Sequence, residues 1–150
     1  MTTRLPKNVL IVSWVLRVAL AGGFIVMGAV PKLTGQPMAR EIFDALGVGA
    51  AGMYATGLAE ALTGVLLLIP ATTVYGGALT VLLMIGALGA HFTKLGFPMD
   101  PLPSEPAPPP MGFIAIAFLV LGAAVVFIHR KSLPIGGASA EPSGAGAGSA

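Results

Sequence analysis

The long apolar stretches of the sequence carry ionisable residues within them or near their ends, and the types of these residues define the chemistry available there. Arg17 and Glu60 each interrupt an otherwise uncharged run, whereas Lys32 and His91 lie toward the ends of such runs. In an apolar medium an arginine and a glutamate can form an ion pair. A glutamate or histidine can also exchange a proton or hydrogen-bond a polar ligand. What these residues do therefore depends on the segments that carry them.

The composition identifies the medium around those residues. Of 150 residues, 55% are hydrophobic and 9% are charged, whereas a soluble domain carries roughly a quarter charged residues. The net charge of +2 comes without a basic cluster, which argues against a nucleic-acid partner. The absence of cysteine excludes disulfides and Cys-ligated metals, and the two histidines make a metal site improbable. The composition predicts a membrane protein without a metal site.

Four apolar stretches are long enough to cross a bilayer, which requires about 20 residues for a hydrocarbon core of roughly 30 Å. They cover residues 9–30, 50–69, 74–94 and 111–129. The turn between the second and third stretches has only four residues, so these two helices must run in opposite directions. We therefore expect an all-α membrane protein, an antiparallel up-and-down bundle of four transmembrane helices.

The segments outside the four stretches have different characters. Residues 1–8 form a short N-terminus before the membrane domain of residues 9–131, and residues 132–150 form a Gly/Ala/Ser-rich tail that we expect to be disordered. Residues 31–49 contain an amphipathic stretch that predicts a short helix at the membrane surface. The proline-rich connection over residues 95–110 is expected to be extended and solvated. Lysines and arginines near both termini favour a cytoplasmic location for them.

The depths of Arg17 and Glu60 predict an ion pair inside the bundle. Counted from opposite faces, Arg17 lies roughly 12 Å and Glu60 roughly 15 Å into the membrane by the helical rise. Thr56 and Thr63 flank Glu60 at helical spacing and can supply hydroxyl groups to it. Three interpretations stay open: a structural pair that sets helix register, a Glu60 that titrates in a proton or quinone reaction, and a neutral, unpaired Glu60.

Two further polar positions belong to the candidate site. The face of the first helix that carries Arg17 continues toward Lys32, and the third helix carries His91 near its end. His91 lies close to the outer rim, where Lys32, Asp44 and Glu41 are each within its reach. A single imidazole at an interface is more often a hydrogen-bonding anchor than a catalytic base, so we expect it to serve as an anchor.

Several phrases of the sequence, in their order and spacing, carry a resemblance to a known family. They are FIVMGAVPKLTG closing the first helix, EIFDALGVG in the loop, GLAEALTGVLLLIP in the second helix and GAHFTKLGFP at the end of the third. The chain resembles, over residues 10–128, the DoxX-like family of small four-helix bacterial membrane proteins. The resemblance implies the bacterial cytoplasmic membrane, and Arg17, Lys32, Glu60 and His91 match the family's polar positions. The longer proline-rich insertion departs from the family pattern.

The functions that follow from the resemblance are expectations of different classes. The family is similar to the membrane subunit of a thiosulfate:quinone oxidoreductase, and some members associate with redox-defence enzymes. The first expectation is therefore an accessory or anchoring subunit of a membrane redox system, in which the bundle could hold an isoprenoid quinone. The alternatives are a small proton-coupled transporter and a membrane-protein assembly factor.

Cofactors and partners follow from the same reasoning. No self-sufficient catalytic motif, intrinsic cofactor or metal site is identified, so the chain is at most a membrane subunit of an oxidoreductase. Intrinsic haem is not expected, since His91 and His129 fall near opposite faces. The expected partners are the lipid bilayer and either a redox enzyme or a second copy of the chain, with no nucleic acid.

Overall fold

The computed structural model describes residues 6–97 and 99–130, and within them the chain forms five helices. These are α1 (Lys7–Leu33), α2 (Pro37–Ala45), α3 (Gly49–Leu68), α4 (Thr73–Leu95) and α5 (Met111–His129). All except α2 are long and apolar enough to cross a membrane. The ends of these four helices lie within three residues of the bounds predicted from the sequence. Most of the predicted N-terminal segment and the whole tail 132–150 fall outside the described residues.

The surface of the four long helices suits a lipid environment. Large apolar side chains on all four are more than half exposed, among them Ile11, Leu58, Leu82 and Phe127. In water such a surface would cost several kcal/mol for a few side chains alone, at about 25 cal/mol per Å². The expectation of a multi-pass, all-helical membrane protein is therefore supported in its coarse form.

The apolar core lies where the four long helices meet. α1 packs against α3 and α5, and α4 packs against the same two helices. Leu20, Leu67 and Val125 are completely buried there. Phe24 of α1 meets Phe118 of α5 edge to face, with ring centroids 5.4 Å apart, a favoured aromatic geometry.

Glycines on α3 determine how α1 and α3 pair. A Cβ atom at Gly64 would lie 2.8 Å from Ile25 Cγ1, and one at Gly57 would lie 2.9 Å from Lys32 Cβ. Both contacts are closer than side chains tolerate, so the absence of Cβ atoms lets α1 approach. Ile25 precedes Lys32 along α1, whereas Gly64 follows Gly57 along α3, so the later residue of α1 contacts the earlier residue of α3.

The short helix α2 and the proline-rich connection cover one end of the bundle. Phe43 of α2 packs against Met53 of α3, and both are buried. The backbone N–H and hydroxyl of Ser104 donate hydrogen bonds to Glu41 Oε2 at 3.1 and 2.7 Å. The connection thus folds onto α2, whereas the sequence predicted an extended segment. The predicted solvation agrees with the exposure of positions 101, 103, 104, 106, 107 and 110.

Candidate functional site

Lys32 and Glu60 form an ion pair at the junction of α1 and α3. Lys32 Nζ lies 2.9 Å from Oε1 and 2.8 Å from Oε2 of Glu60, and 3.3 Å from the backbone oxygen of Gly28. The side chains are 17% and 9% exposed, respectively. An ammonium group can only donate, and its partners here are the Glu60 carboxylate and one backbone carbonyl.

The local structure of α1 explains how a residue at the helix end reaches a partner one turn deeper. Side chains on a helix lean toward its N-terminus, so the amino group of Lys32 lies back at the level of Gly28. A Cβ atom at Gly28 would lie 2.8 Å from Glu60 Cδ and Oε2. Glycine at this position therefore leaves the space that the carboxylate occupies.

The predicted ion pair between Arg17 and Glu60 is wrong. Arg17 instead donates hydrogen bonds from Nε to the backbone oxygen of Leu67 and from Nη2 to that of Leu68, at 3.0 Å for the latter. Its guanidinium also lies over the Trp14 ring, 4.1 Å from the centroid. Leu67 is seven residues from Glu60, about 10 Å along the helix axis. The depth estimate assumed that the ends of α1 and α3 are level, but α1 begins well beyond the end of α3.

Arg17 has a structural role in this arrangement. The last carbonyl groups of a helix have no intrahelical donor and carry the negative end of the helix dipole. By donating to two of them, the buried arginine provides hydrogen-bond partners for the end of α3. On the same side of the bundle, Ser13 Oγ lies 2.8 Å from His129 Nε2 and ties α1 to α5.

Thr63, predicted to support Glu60, does not contact it by hydrogen bond. Its hydroxyl donates to the backbone oxygen of Ala59 at 2.7 Å, within α3, and the residue is completely buried. A hydroxyl that bonds to the preceding turn satisfies itself in an apolar medium. Thr63 is therefore a packing residue near the site.

A cavity of about 410 Å³ brings together the other four predicted residues: Lys32, Thr56, Glu60 and His91. All five helices and the loop after α4 contribute to its wall. Apart from these residues and Gln36, the wall is mostly apolar, with Phe24, Leu83, Met84 and Phe118 among its members. An apolar cavity with a few convergent polar groups is the usual form of a small-molecule site.

His91 occupies the π-helical turn that ends α4 (His91–Leu95), and its ring is buried. Its Nδ1 lies 3.0 Å from the backbone oxygen of Gly96. Gly96 has a φ of 79°, a left-handed conformation that favours glycine. The ring also meets Phe97 edge to face, at 6.1 Å between centroids. The hydrogen bond of Nδ1 agrees with the prediction that His91 is a hydrogen-bonding anchor. The residue also contributes to the cavity wall.

Five methionines also line the cavity, which the sequence analysis missed: Met27, Met38, Met84, Met99 and Met111. They come from four helices and one loop, so no sequence spacing brings them together. The apolar face of α2, which includes Met38 and Ile42, was recognised as amphipathic but assigned to the membrane surface. That face lines the cavity. Its amphipathic pattern was the feature of the sequence that could have indicated cavity-lining residues on α2.

The cavity wall includes exposed residues of α1 and α4. These are Met27, Leu82 and Gly86. A Cβ atom at Gly86 would meet no other heavy atom within 4 Å. Gly86 therefore leaves open space at this part of the cavity wall.

The arrangement suits an apolar ligand with a polar head. Across residues 6–97 and 99–130, no group of three or more histidine, cysteine, aspartate or glutamate side chains is placed to hold a metal ion.

No protein-family model matches the chain, and neither a curated protein nor a solved structure matches it significantly.

Proposed function

We propose that this chain is an accessory or anchoring membrane subunit of a quinone-linked redox system, and that its cavity holds the quinone head. The observation that carries the proposal is the 410 Å³ cavity, with Lys32, Glu60, Thr56 and His91 on its wall and apolar residues elsewhere. Ligand sites commonly measure roughly 300–1,000 Å³. A quinone combines a compact ring bearing two oxygens with an apolar chain, and a mostly apolar wall with a few polar groups suits such a molecule.

The remaining parts of the proposal rest on the sequence. The resemblance to the DoxX-like family supports a bacterial inner-membrane location, and the charges near the termini support four spans of alternating direction with cytoplasmic termini. Electron transfer needs a redox group, and no motif in this sequence binds one. A partner enzyme would therefore supply it.

The geometry of Glu60 disfavours a proton-coupled transporter. Such a mechanism needs a carboxylate that is free to exchange its proton for a substrate cation. Here both carboxylate oxygens accept hydrogen bonds from Lys32. The positive partner therefore already neutralises the charge that a transported cation would need.

Native purification in mild detergent tests the proposal, with co-purifying proteins and extracted quinones measured by mass spectrometry. We expect near-stoichiometric quinone, a redox-enzyme partner, or both. The variant Gly86→Leu fills the open space beside Gly86 at the cavity wall and should retain less quinone. Gly89→Leu is the matched control, because a Cβ atom at Gly89 also meets nothing within 4 Å and Gly89 lies outside the cavity wall. A wild-type preparation without quinone or partner, or equal retention by the two variants, would contradict the proposal.

A further inference from the structure

The hydrogen-bonding capacity on the cavity wall is unequal between donors and acceptors. The strongest donor, Lys32, is already hydrogen-bonded to Gly28 and Glu60. A ligand that accepts from Lys32 competes with the Glu60 carboxylate and the Gly28 carbonyl for the ammonium group. The ammonium group therefore offers little to a carbonyl oxygen that enters the cavity.

Glu60 retains capacity to accept hydrogen bonds. A carboxylate offers about four lone-pair sites, and Lys32 takes one on each oxygen. Within the described part of the chain, no other donor is hydrogen-bonded to these oxygens. The residue is 7% exposed and lines the cavity, so a donor group on a bound ligand is a suitable additional partner.

His91 provides a second acceptor. A backbone carbonyl can only accept, so the contact with Gly96 O places the proton of the neutral ring on Nδ1. Nε2 is then an acceptor, and no hydrogen bond from residues 6–97 or 99–130 reaches it. The residue is 5% exposed and lines the same cavity as Glu60.

Thr56 adds a hydroxyl that makes no hydrogen bond within residues 6–97 and 99–130. The other threonines of the described chain donate to backbone oxygens: Thr34, Thr63, Thr72, Thr73, Thr80 and Thr93. Thr56 makes no such bond in this part of the chain and lines the cavity. Its hydroxyl can donate or accept, and so can the amide of Gln36, an exposed residue of the same wall. The polar wall therefore has two acceptors, Glu60 and His91, and two groups of either kind.

We propose that the cavity selects ligands whose polar head donates hydrogen bonds, namely phenols and quinols with an apolar body, over the corresponding ethers and quinones. This inference rests on the proposed function in that it concerns the same cavity. A quinol donates from its hydroxyl groups to the buried acceptors Glu60 and His91. A quinone can only accept, and its donors on this wall are the Thr56 hydroxyl and the amide of the exposed Gln36. The methionine side chains of the wall are flexible and polarisable, and they adapt to apolar bodies of different shape.

A pair of ligands that differ by one donor tests the inference directly. We would titrate the purified protein, in one detergent, with a 4-alkylphenol and with its methyl ether, using isothermal titration calorimetry. The phenol should bind at least tenfold tighter, about the factor that one hydrogen bond to a charged group contributes. In His91→Phe this preference should fall severalfold while the affinity for the ether stays the same, which also shows that the cavity is folded. If His91→Phe does not bind the ether, the relative affinity of the wild-type protein for the phenol and the ether decides the test. Equal or tighter binding of the ether would overturn the inference.

A second comparison separates this inference from the proposed function. A short-chain benzoquinone and its quinol are titrated in the same way, and the quinol should bind about tenfold tighter. That ratio raises the midpoint potential of the bound couple by about 30 mV. Tighter binding of the quinone would overturn the inference and leave the proposed function intact. A clear preference for the phenol without binding of either quinone form would overturn the proposed function and support the donor preference.

Discussion

Breaking the Lys32–Glu60 pair on one side should destabilise the protein more than replacing both residues. At 2.8 Å, two unit charges gain about 6 kcal/mol at an effective dielectric constant of about 20. Burial of each ion costs several kcal/mol, so the net contribution of the intact pair is small. Lys32→Met or Glu60→Leu alone leaves one uncompensated charge in an apolar site. We expect a loss of about 3–5 kcal/mol in the free energy of unfolding for each.

The double variant Lys32→Met/Glu60→Leu should recover most of this loss and lie within about 2 kcal/mol of the wild type. Reversible unfolding by SDS in mixed micelles measures the free energies of unfolding of the wild type, the two single variants and the double variant. The loss in the double variant minus the sum of the two single losses gives the coupling energy between the residues. Lys94→Met is the matched control, because Lys94 is exposed and has no ion-pair partner among the described residues. Its stability should be unchanged.

Two outcomes would refute this reasoning. If either single variant is as stable as the wild type, the pair is not buried in a medium of low dielectric constant. If the double variant loses the sum of the two single losses, the residues do not interact in the folded protein. The second outcome would also remove Lys32 from the candidate site.

The same unfolding assay checks two further predictions. Gly28→Ala places a Cβ atom 2.8 Å from the Glu60 carboxyl and should lower the free energy of unfolding by about 1–3 kcal/mol. Gly22→Ala is the control, because a Cβ atom there meets nothing within 4 Å, and it should be neutral or stabilise the protein by up to about 1 kcal/mol. Equal effects of the two substitutions would contradict the close approach of Glu60 to Gly28. Arg17→Met removes two donors from the end of α3 and should cost about 2–4 kcal/mol through unsatisfied carbonyls. A stable Arg17→Met protein would show that the capping contact has no structural importance.

Hydropathy predicted the spans because the bilayer imposes the same rule on each of them. A segment that crosses hydrocarbon must be apolar over about 20 residues and must satisfy its backbone groups internally. Both requirements are local, so the bounds of the four long helices were predictable within three residues. The amphipathic pattern of α2 was also recognised, since it depends on spacing along a single helix.

The partner of Glu60 was not predictable in the same way. A depth estimate counts residues from helix ends, and it treated the ends of α1 and α3 as level. The actual register depends on which side chains allow close packing, and Gly28 and Gly57 bring the two helices together where Lys32 meets Glu60. Lys32 was identified as a polar position of the site, but its assigned neighbour was wrong.

The sequence by itself therefore determined that the chain is a helical membrane protein and which polar residues are exceptional in it. Composition and hydropathy are sums over local segments, and folding does not change them. Only the tertiary structure decided that Lys32, Glu60, Thr56 and His91 share one cavity while Arg17 ends up at the end of α3. Helix register and the meeting of five elements arise from contacts between residues that are far apart in the chain, and no local pattern encodes them.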